Sequence, residues 1–174
     1  MKKIIFALCL LSSIVGLNSH IYAQKGTDKY LDEKKGFKCF KLGDPINGYL
    51  DKLEVDKAHP GNYFVNDSSL LSIGDEIKIK FIIVSTFNDS IYSINVFSSP
   101  IYKGKIMNVL QAAYGLGTMP NRYIDKYRWM SDSVLLNFDC TDSRWCLFTF
   151  TDLHLQSQRE SGKYKQASKA TNDI

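Results

Sequence analysis

Between residues 76 and 97 the chain alternates apolar and polar side chains on either side of a central Asn88-Asp89 pair. This stretch restricts the fold more than any other. Residues 76–85 place Ile77, Ile79, Phe81 and Ile83 at every second position, with Lys78 and Lys80 between them. A period of two is that of a strand with one covered face. Asn88-Asp89 then turns the chain back into 91–97, where Tyr92, Ile94 and Val96 alternate with Ser93 and Asn95. Such a pair is antiparallel, with one side packed and the other open.

The same pattern extends outward. Residues 36–43 alternate like a strand and run into Asp44-Pro45, a capping acceptor followed by proline at a first helical position. Ile46, Tyr49, Leu50 and Leu53 follow at helical spacing, which predicts a short amphipathic helix weakened by Gly48. Residues 62–65 read as a strand. Ser99-Pro100 repeats the capping device ahead of a second helix with Ile106, Val109, Leu110 and Ala113 as its apolar stripe, closed by Gly115 and Gly117. Strands over 126–130, 134–140 and 145–153 complete the pattern. The two halves therefore match: strand, helix, three strands, then helix, three strands. The expected class is α+β, an antiparallel sheet with two helices on one face (βα-βββ-α-βββ). The rival is a β-sandwich with incidental helices.

Lys2 and Lys3 precede a 14-residue apolar run (4–17) and the small residue Ala23, the signature of a cleaved secretory signal over 1–23. The run is shorter than the roughly 20 residues of a spanning helix. Residues 24–35 then form a flexible lead-in, 36–155 a single domain, and 156–174 a polar tail that is partly helical or disordered. Removing 23 of 174 residues leaves 151, and the loss of two lysines leaves 20 basic residues against 18 acidic ones. That near-neutral balance gives no strong pull toward nucleic acid or anionic lipid.

Cys39, Cys140 and Cys146 remain after cleavage. If 141–144 is a hairpin turn, pairing Cys140 with Cys146 also pairs Phe138 with Phe148 and Leu136 with Phe150, all on one face. A Cys140–Cys146 disulfide fits this register; so do two unbridged core cysteines acting as small hydrophobes.

The chemistry-bearing motifs are sparse. His59 and His154 are isolated, and neither a HExxH nor a CxxC pair occurs, so no metal or other cofactor is expected. Asp139, Asp142 and Asp152 lack EF-hand spacing. There is no nucleophile elbow. Gly115-Leu116-Gly117 follows a helix where a dinucleotide loop follows a strand. Cys39 with a histidine, or a carboxylate pair drawn from Glu54, Asp75 and Glu76, would be needed for hydrolysis. Asp89-Ser90-Ile91 and Asp132-Ser133-Val134 are similar to short O-glycosylation acceptors of Gram-negative secretory systems. If helices cover the face of Ile77, Ile79, Phe81 and Phe148, the other face presents Lys78, Lys80, Ser93, Asn95, Asn137, Trp145 and Leu147, a candidate partner face.

Phe37-Lys38-Cys39-Phe40-Lys41-Leu42-Gly43-Asp44-Pro45 resembles the opening of small exported Gram-negative proteins of unknown function, with Cys39 where a glycine is usual. Leu110-Gln111-Ala112-Ala113-Tyr114-Gly115 followed by Trp129 is similar to a second landmark of such proteins. The helix-then-strands repeat also resembles the architecture of the beta-lactamase-inhibitor protein and the small outer-membrane assembly lipoprotein, a likeness of fold that does not carry function. The resemblance implies a periplasmic or cell-envelope address. The function expected is a non-catalytic binding domain for a protein or envelope partner, an inhibitor or immunity protein being a special case. The alternative is an envelope- or glycan-directed hydrolase. In an exported form the chain is expected to begin at Gln24 by intact-mass analysis; an intact Met1 would overturn the signal.

Overall fold

Asn88 and Asp89 both adopt positive φ, 49° and 60°, as a two-residue type I′ hairpin requires. They join the two longest strands of a sheet in a computed structural model that describes residues 27–170. The signal over 1–23, the start of the lead-in and residues 171–174 lie outside the described residues. In chain order the elements are α1 (Thr27–Lys34), β1 (Gly36–Phe37), β2 (Phe40–Lys41), a 3-10 helix (Ile46–Lys52), β3 (Leu53–Val55) and β4 (Asn62–Val65). A second 3-10 turn (Ser68–Leu70), β5 (Ser72–Ile73), β6 (Ile77–Phe87) and β7 (Ser90–Ser98) follow. A third 3-10 turn (Pro100–Tyr102) leads into α2 (Lys103–Tyr114), β8 (Lys126–Met130), β9 (Val134–Asp139), β10 (Cys146–Asp152) and α3 (Leu153–Ala170).

The class is α+β with an antiparallel sheet. Its strand order is β3-β4-β6-β7-β10-β9-β8, with β5 pairing the start of β6. The sequence repeat appears as two meanders, β4-β6-β7 and β8-β9-β10, joined where β7 pairs β10. One row crosses both: Trp129, Leu136, Phe150, Ile94 and Val84 are successive cross-strand partners, each at most 5% exposed. Ile106, Leu110 and Tyr114 of α2 and Leu31 of α1 close over the same core.

Several expectations change. The 44–53 helix is 3-10, and Pro45, not Asp44, occupies its N-cap. Asp44 instead accepts a hydrogen bond from Tyr49 Oη at 2.6 Å; burial first, and Asp44 second, push that phenol up to about 12. With Gly48 inside and Leu50 49% exposed, this segment lacks the continuous apolar stripe that sustains an α-helix. In α2 the buried stripe is Ile106, Leu110 and Tyr114, while Val109 is largely exposed. Residues 27–34 of the expected lead-in form a helix, because Leu31, 1% exposed, reaches the core from an otherwise polar stretch. The tail is helical as far as Ala170 and begins earlier than residue 156, where Asp152 Oδ1 accepts from Leu155 N at 2.9 Å and caps it.

The largest correction concerns β6. Its ladder with β7 pairs Ile79 with Ser98 and Phe81 with Phe97, leaving Lys80 as an extra residue. The bulge reverses the parity. Ile77 and Ile79 are buried before it, Ile82 and Val84 after it, and Phe81 and Ile83 emerge on the opposite, outer face. A second irregularity at Tyr92 lets Ile91, Ile94 and Val96 all face the core.

The Cys140–Cys146 disulfide is present, with Cα atoms 4.2 Å apart. Phe138 pairs Phe148 and Leu136 pairs Phe150, in the register read from the sequence. Cys39 is a free, exposed thiol.

Asp32 fastens α1 to the β8–β9 turn, accepting from Ser131 Oγ at 2.7 Å and Ser133 Oγ at 2.5 Å. Burial raises this carboxyl, but the hydrogen bonds from Ser133 and Ser131 outweigh it and hold it below its ordinary 3.8. A group depressed in the folded state adds stability above its unfolded pKa and loses it as pH falls through the folded one. Asp32→Ala is therefore expected to cost about 1 kcal/mol at neutral pH. Urea midpoints of the two proteins should converge as pH falls below 3.8; a gap that stays constant in acid would refute the carboxylate's role.

Candidate functional site

The outer face of the sheet is built from two adjacent rows, fixed by strand register. Arg128, Asn137, Thr149, Asn95, Ile83 and Phe64 form one, and Lys126, Asp139, Leu147, Phe97 and Phe81 the other. The first row is a hydrogen-bonded ladder at its β8 end. Arg128 Nε donates to Asn137 Oδ1 at 3.3 Å, and Thr149 Oγ1 donates to Asn95 Oδ1 at 3.0 Å. Asn95 Nδ2 reaches Ser93 Oγ at 3.4 Å.

The second row becomes aromatic toward β6. Phe81 and Phe97 stack with centroids 4.3 Å apart, and Trp145 meets both edge to face at 6.2 and 6.1 Å. Phe64 joins at 6.4 Å from Phe81. All four rings are half-buried. Two cations attend the indole: the Arg144 guanidinium 4.4 Å and Lys80 Nζ 5.7 Å from its ring centroid. Arg144 is aimed by Asp142, whose two oxygens accept from its Nε at 3.1 Å and Nη2 at 2.8 Å, and this pairing draws the carboxyl down to about 2. Lys80, displaced by the bulge, donates to Arg144 O at 3.0 Å.

Of the seven residues assigned to the partner face, Asn95, Asn137, Leu147, Trp145 and Lys80 lie together on this surface. Lys78 is exposed on the other side of the bulge. Ser93 shares the face but is only 6% exposed, with Ser85 and Thr151 buried beside it at the end where α3 begins. There Arg159 lies 4.9 Å from the Tyr92 ring centroid. Trp145 is half-buried among the phenylalanines and not free in solvent. Phe81, Phe97, Arg144, Arg128 and Thr149 escaped the sequence reading. Arg128 and Thr149 were within reach: pairing counted across the 131–134 turn sets Arg128 against Asn137.

A cleft of about 480 Å³ opens at the β8 end of this face. Its floor carries Lys126, Arg128, Asn137, Asp139, Leu147 and Thr149, and its wall is the 115–125 loop, through Pro120, Asn121 and Ile124. Long-range contacts fix that loop. Trp129 Nε1 donates to Gly115 O at 2.9 Å, Thr118 and Arg128 exchange backbone hydrogen bonds at 2.8 Å, and Lys103 pairs with Asp125 at 2.5 Å.

The remaining chemical candidates are scattered. Among the described residues no three of His, Cys, Asp and Glu come together as metal ligands. His59 is engaged by Asp56 at 2.9 Å and His154 by Gln158 at 2.8 Å. Asp75 and Glu76 share a shallow depression of about 330 Å³. Lys105 pairs with Glu76 there and holds its carboxyl below the usual range, the reverse of what a general acid needs. Ser133 is held by Asp32. No helix among the described residues is long and apolar enough to cross a membrane. No family model, curated protein or solved structure matches the chain.

The cleft wall stands on Gly117, where an added Cβ would lie 2.7 Å from two atoms of the buried Trp129 indole. Gly117→Ala is expected to destabilise the fold by about 2 kcal/mol through overpacking. In the same variant the amide resonances of 118–124 should shift. An unchanged urea midpoint would show that the indole moves freely, which its contact with Gly115 argues against.

Proposed function

We propose that this chain is an exported domain of the periplasm or cell envelope that binds a protein or envelope partner, without catalysis, through the outer face of its sheet. The observation that carries the reading is the aromatic cluster of Phe81, Phe97 and Trp145, left half-exposed and attended by Arg144 and Lys80. A solvated sheet face has no need of three large rings, whereas interface anchors are enriched in Trp, Tyr and Arg set in a polar rim. Here the rim is the polar row of Asn95, Thr149 and Asn137 together with Lys80. The bonded Cys140–Cys146 pair supports an oxidising destination, as does the N-terminal signal pattern of the sequence.

Immobilised mature protein and its Trp145→Ala variant, matched for thermal midpoint, should differ in what they retain from a native envelope extract. For any protein retained by the wild type and then purified, the variant is expected to bind about tenfold or more weakly, as loss of a central anchor implies. Equal affinity of both forms for every retained partner would remove this face from the interaction.

A further inference from the structure

We infer that the cleft between the 115–125 loop and strands β8–β10 is a binding site for an organic carboxylate. The acid group would sit on the Arg128 guanidinium, and the ligand's apolar body on Leu147 and Ile124. This goes beyond the partner-face reading, with which it shares Asn137, Leu147 and Thr149 but not Trp145.

The donor and acceptor inventory of the cleft selects the ligand. Asp139 is spent: Oδ2 is paired with Lys126 at 2.7 Å, and Oδ1 accepts from both the backbone N–H and the hydroxyl of Thr141. The Lys126 charge is neutralised by the same pair. Thr149 donates its hydroxyl to Asn95, and the Asn121 side-chain Oδ1 accepts from Tyr123 N at 2.9 Å. Arg128 behaves differently. It commits only Nε, to Asn137, and its two terminal nitrogens have no partner among the described residues. The amide nitrogens of Asn137 and Asn121 are likewise uncommitted there. What remains is one positive charge and several N–H donors, with the carboxylate acceptors used up.

A carboxylate is the complement. It accepts only, it is planar, and its two oxygens match the guanidinium fork. A cation would find no free carboxylate. A phosphate dianion would meet a single net positive charge with Asp139 beside it on the same floor. The volume falls in the range of roughly 300–1,000 Å³ typical of small-molecule sites. The site is also prebuilt, since Asn137 aims Arg128 and the Thr118–Arg128 backbone bridge fixes the wall. The acid group has two chemical sources, a free organic acid and the terminal carboxylate of a polypeptide.

The test is a titration of ¹⁵N-labelled mature protein with five probes: 3-phenylpropanoate, 3-phenylpropanamide, phenyl phosphate, and an N-acetylated tetrapeptide ending in leucine with a free or an amidated terminus. At least one carboxylate should shift the resonances of Arg128, Asn137, Leu147 and Ile124, and its amide should bind at least about tenfold more weakly. Whichever acid binds more tightly identifies the source. Arg128→Gln should lose about tenfold or more in affinity and Arg128→Lys should recover part of it, because charge returns without the fork. The inference is overturned if acid and amide bind alike, if Arg128→Gln binds as the wild type does, or if no probe shifts these resonances up to roughly 10 mM. Tighter binding of phenyl phosphate than of 3-phenylpropanoate would also refute it. Since Trp145 lies outside the cleft, either result leaves the envelope-retention experiment to stand or fall on its own.

Discussion

Between Ile79 and Phe81 the central hairpin gains one residue, and the side chains that the sheet hides or shows depend on it. Without the bulge at Lys80, Phe81 and Ile83 would continue the buried row begun by Ile77 and Ile79, and Ile82 and Val84 would face solvent. With it, Ile82 and Val84 are fully buried and pair with Val96 and Ile94 at the centre of the core. Phe81 meets Phe97 on the outer face. The same displaced Lys80 reaches over to Arg144 O and the Trp145 ring. One insertion therefore completes the core row and creates the aromatic cluster opposite it. Bulges commonly re-aim side chains in this way.

The outer face holds its shape because the inner face is rigid. The Trp129-to-Val84 row runs unbroken across both meanders, so the positions of Arg128 and Asn137, one residue away from that row, follow from it. Trp129 also holds the cleft wall through Gly115 and Gly117. A buried indole thus links core packing to a surface loop. Asp32 secures α1 from another side, through the β8–β9 turn.

Much of this was legible in the sequence, and the failures have identifiable causes. The register of β9 against β10 was readable because the two cysteines and two pairs of large apolar residues agree on it. The 126–130 strand was placed at its true bounds. The parity reversal in β6 was not readable: Lys78 and Lys80 satisfy the alternation whether or not one of them is extra. The lead-in reads as flexible because its buried anchor is a lone apolar residue, Leu31, and its second anchor, Asp32, is polar. The first helix reads as α-helical because Ile46, Tyr49, Leu50 and Leu53 stand at helical spacing, a pattern that does not reveal that Leu50 stays exposed and that the seven-residue segment is 3-10. The cleft lay beyond sequence reasoning, since its wall depends on Trp129 meeting Gly117 across an intervening loop.

The contrast between Lys126 and Arg128 shows how register becomes chemistry. Both are exposed cations on β8, two residues apart and on the same face. Opposite Lys126 stands Asp139, a carboxylate, and the pair closes at 2.7 Å. Opposite Arg128 stands Asn137, whose amide oxygen takes one N–H and leaves the charge uncancelled. An exposed ion pair contributes about 1 kcal/mol or less to stability, so exchanging an Asp for an Asn costs the fold little. For the electrostatics of the cleft it decides the sign, because it leaves a cation that the fold has oriented and not neutralised. Slipping β8 by two residues against β9 would place Arg128 opposite Asp139 and remove that charge. The register is held by Trp129 opposite Leu136 in the core, so the free charge on the outer face is set by packing on the inner one.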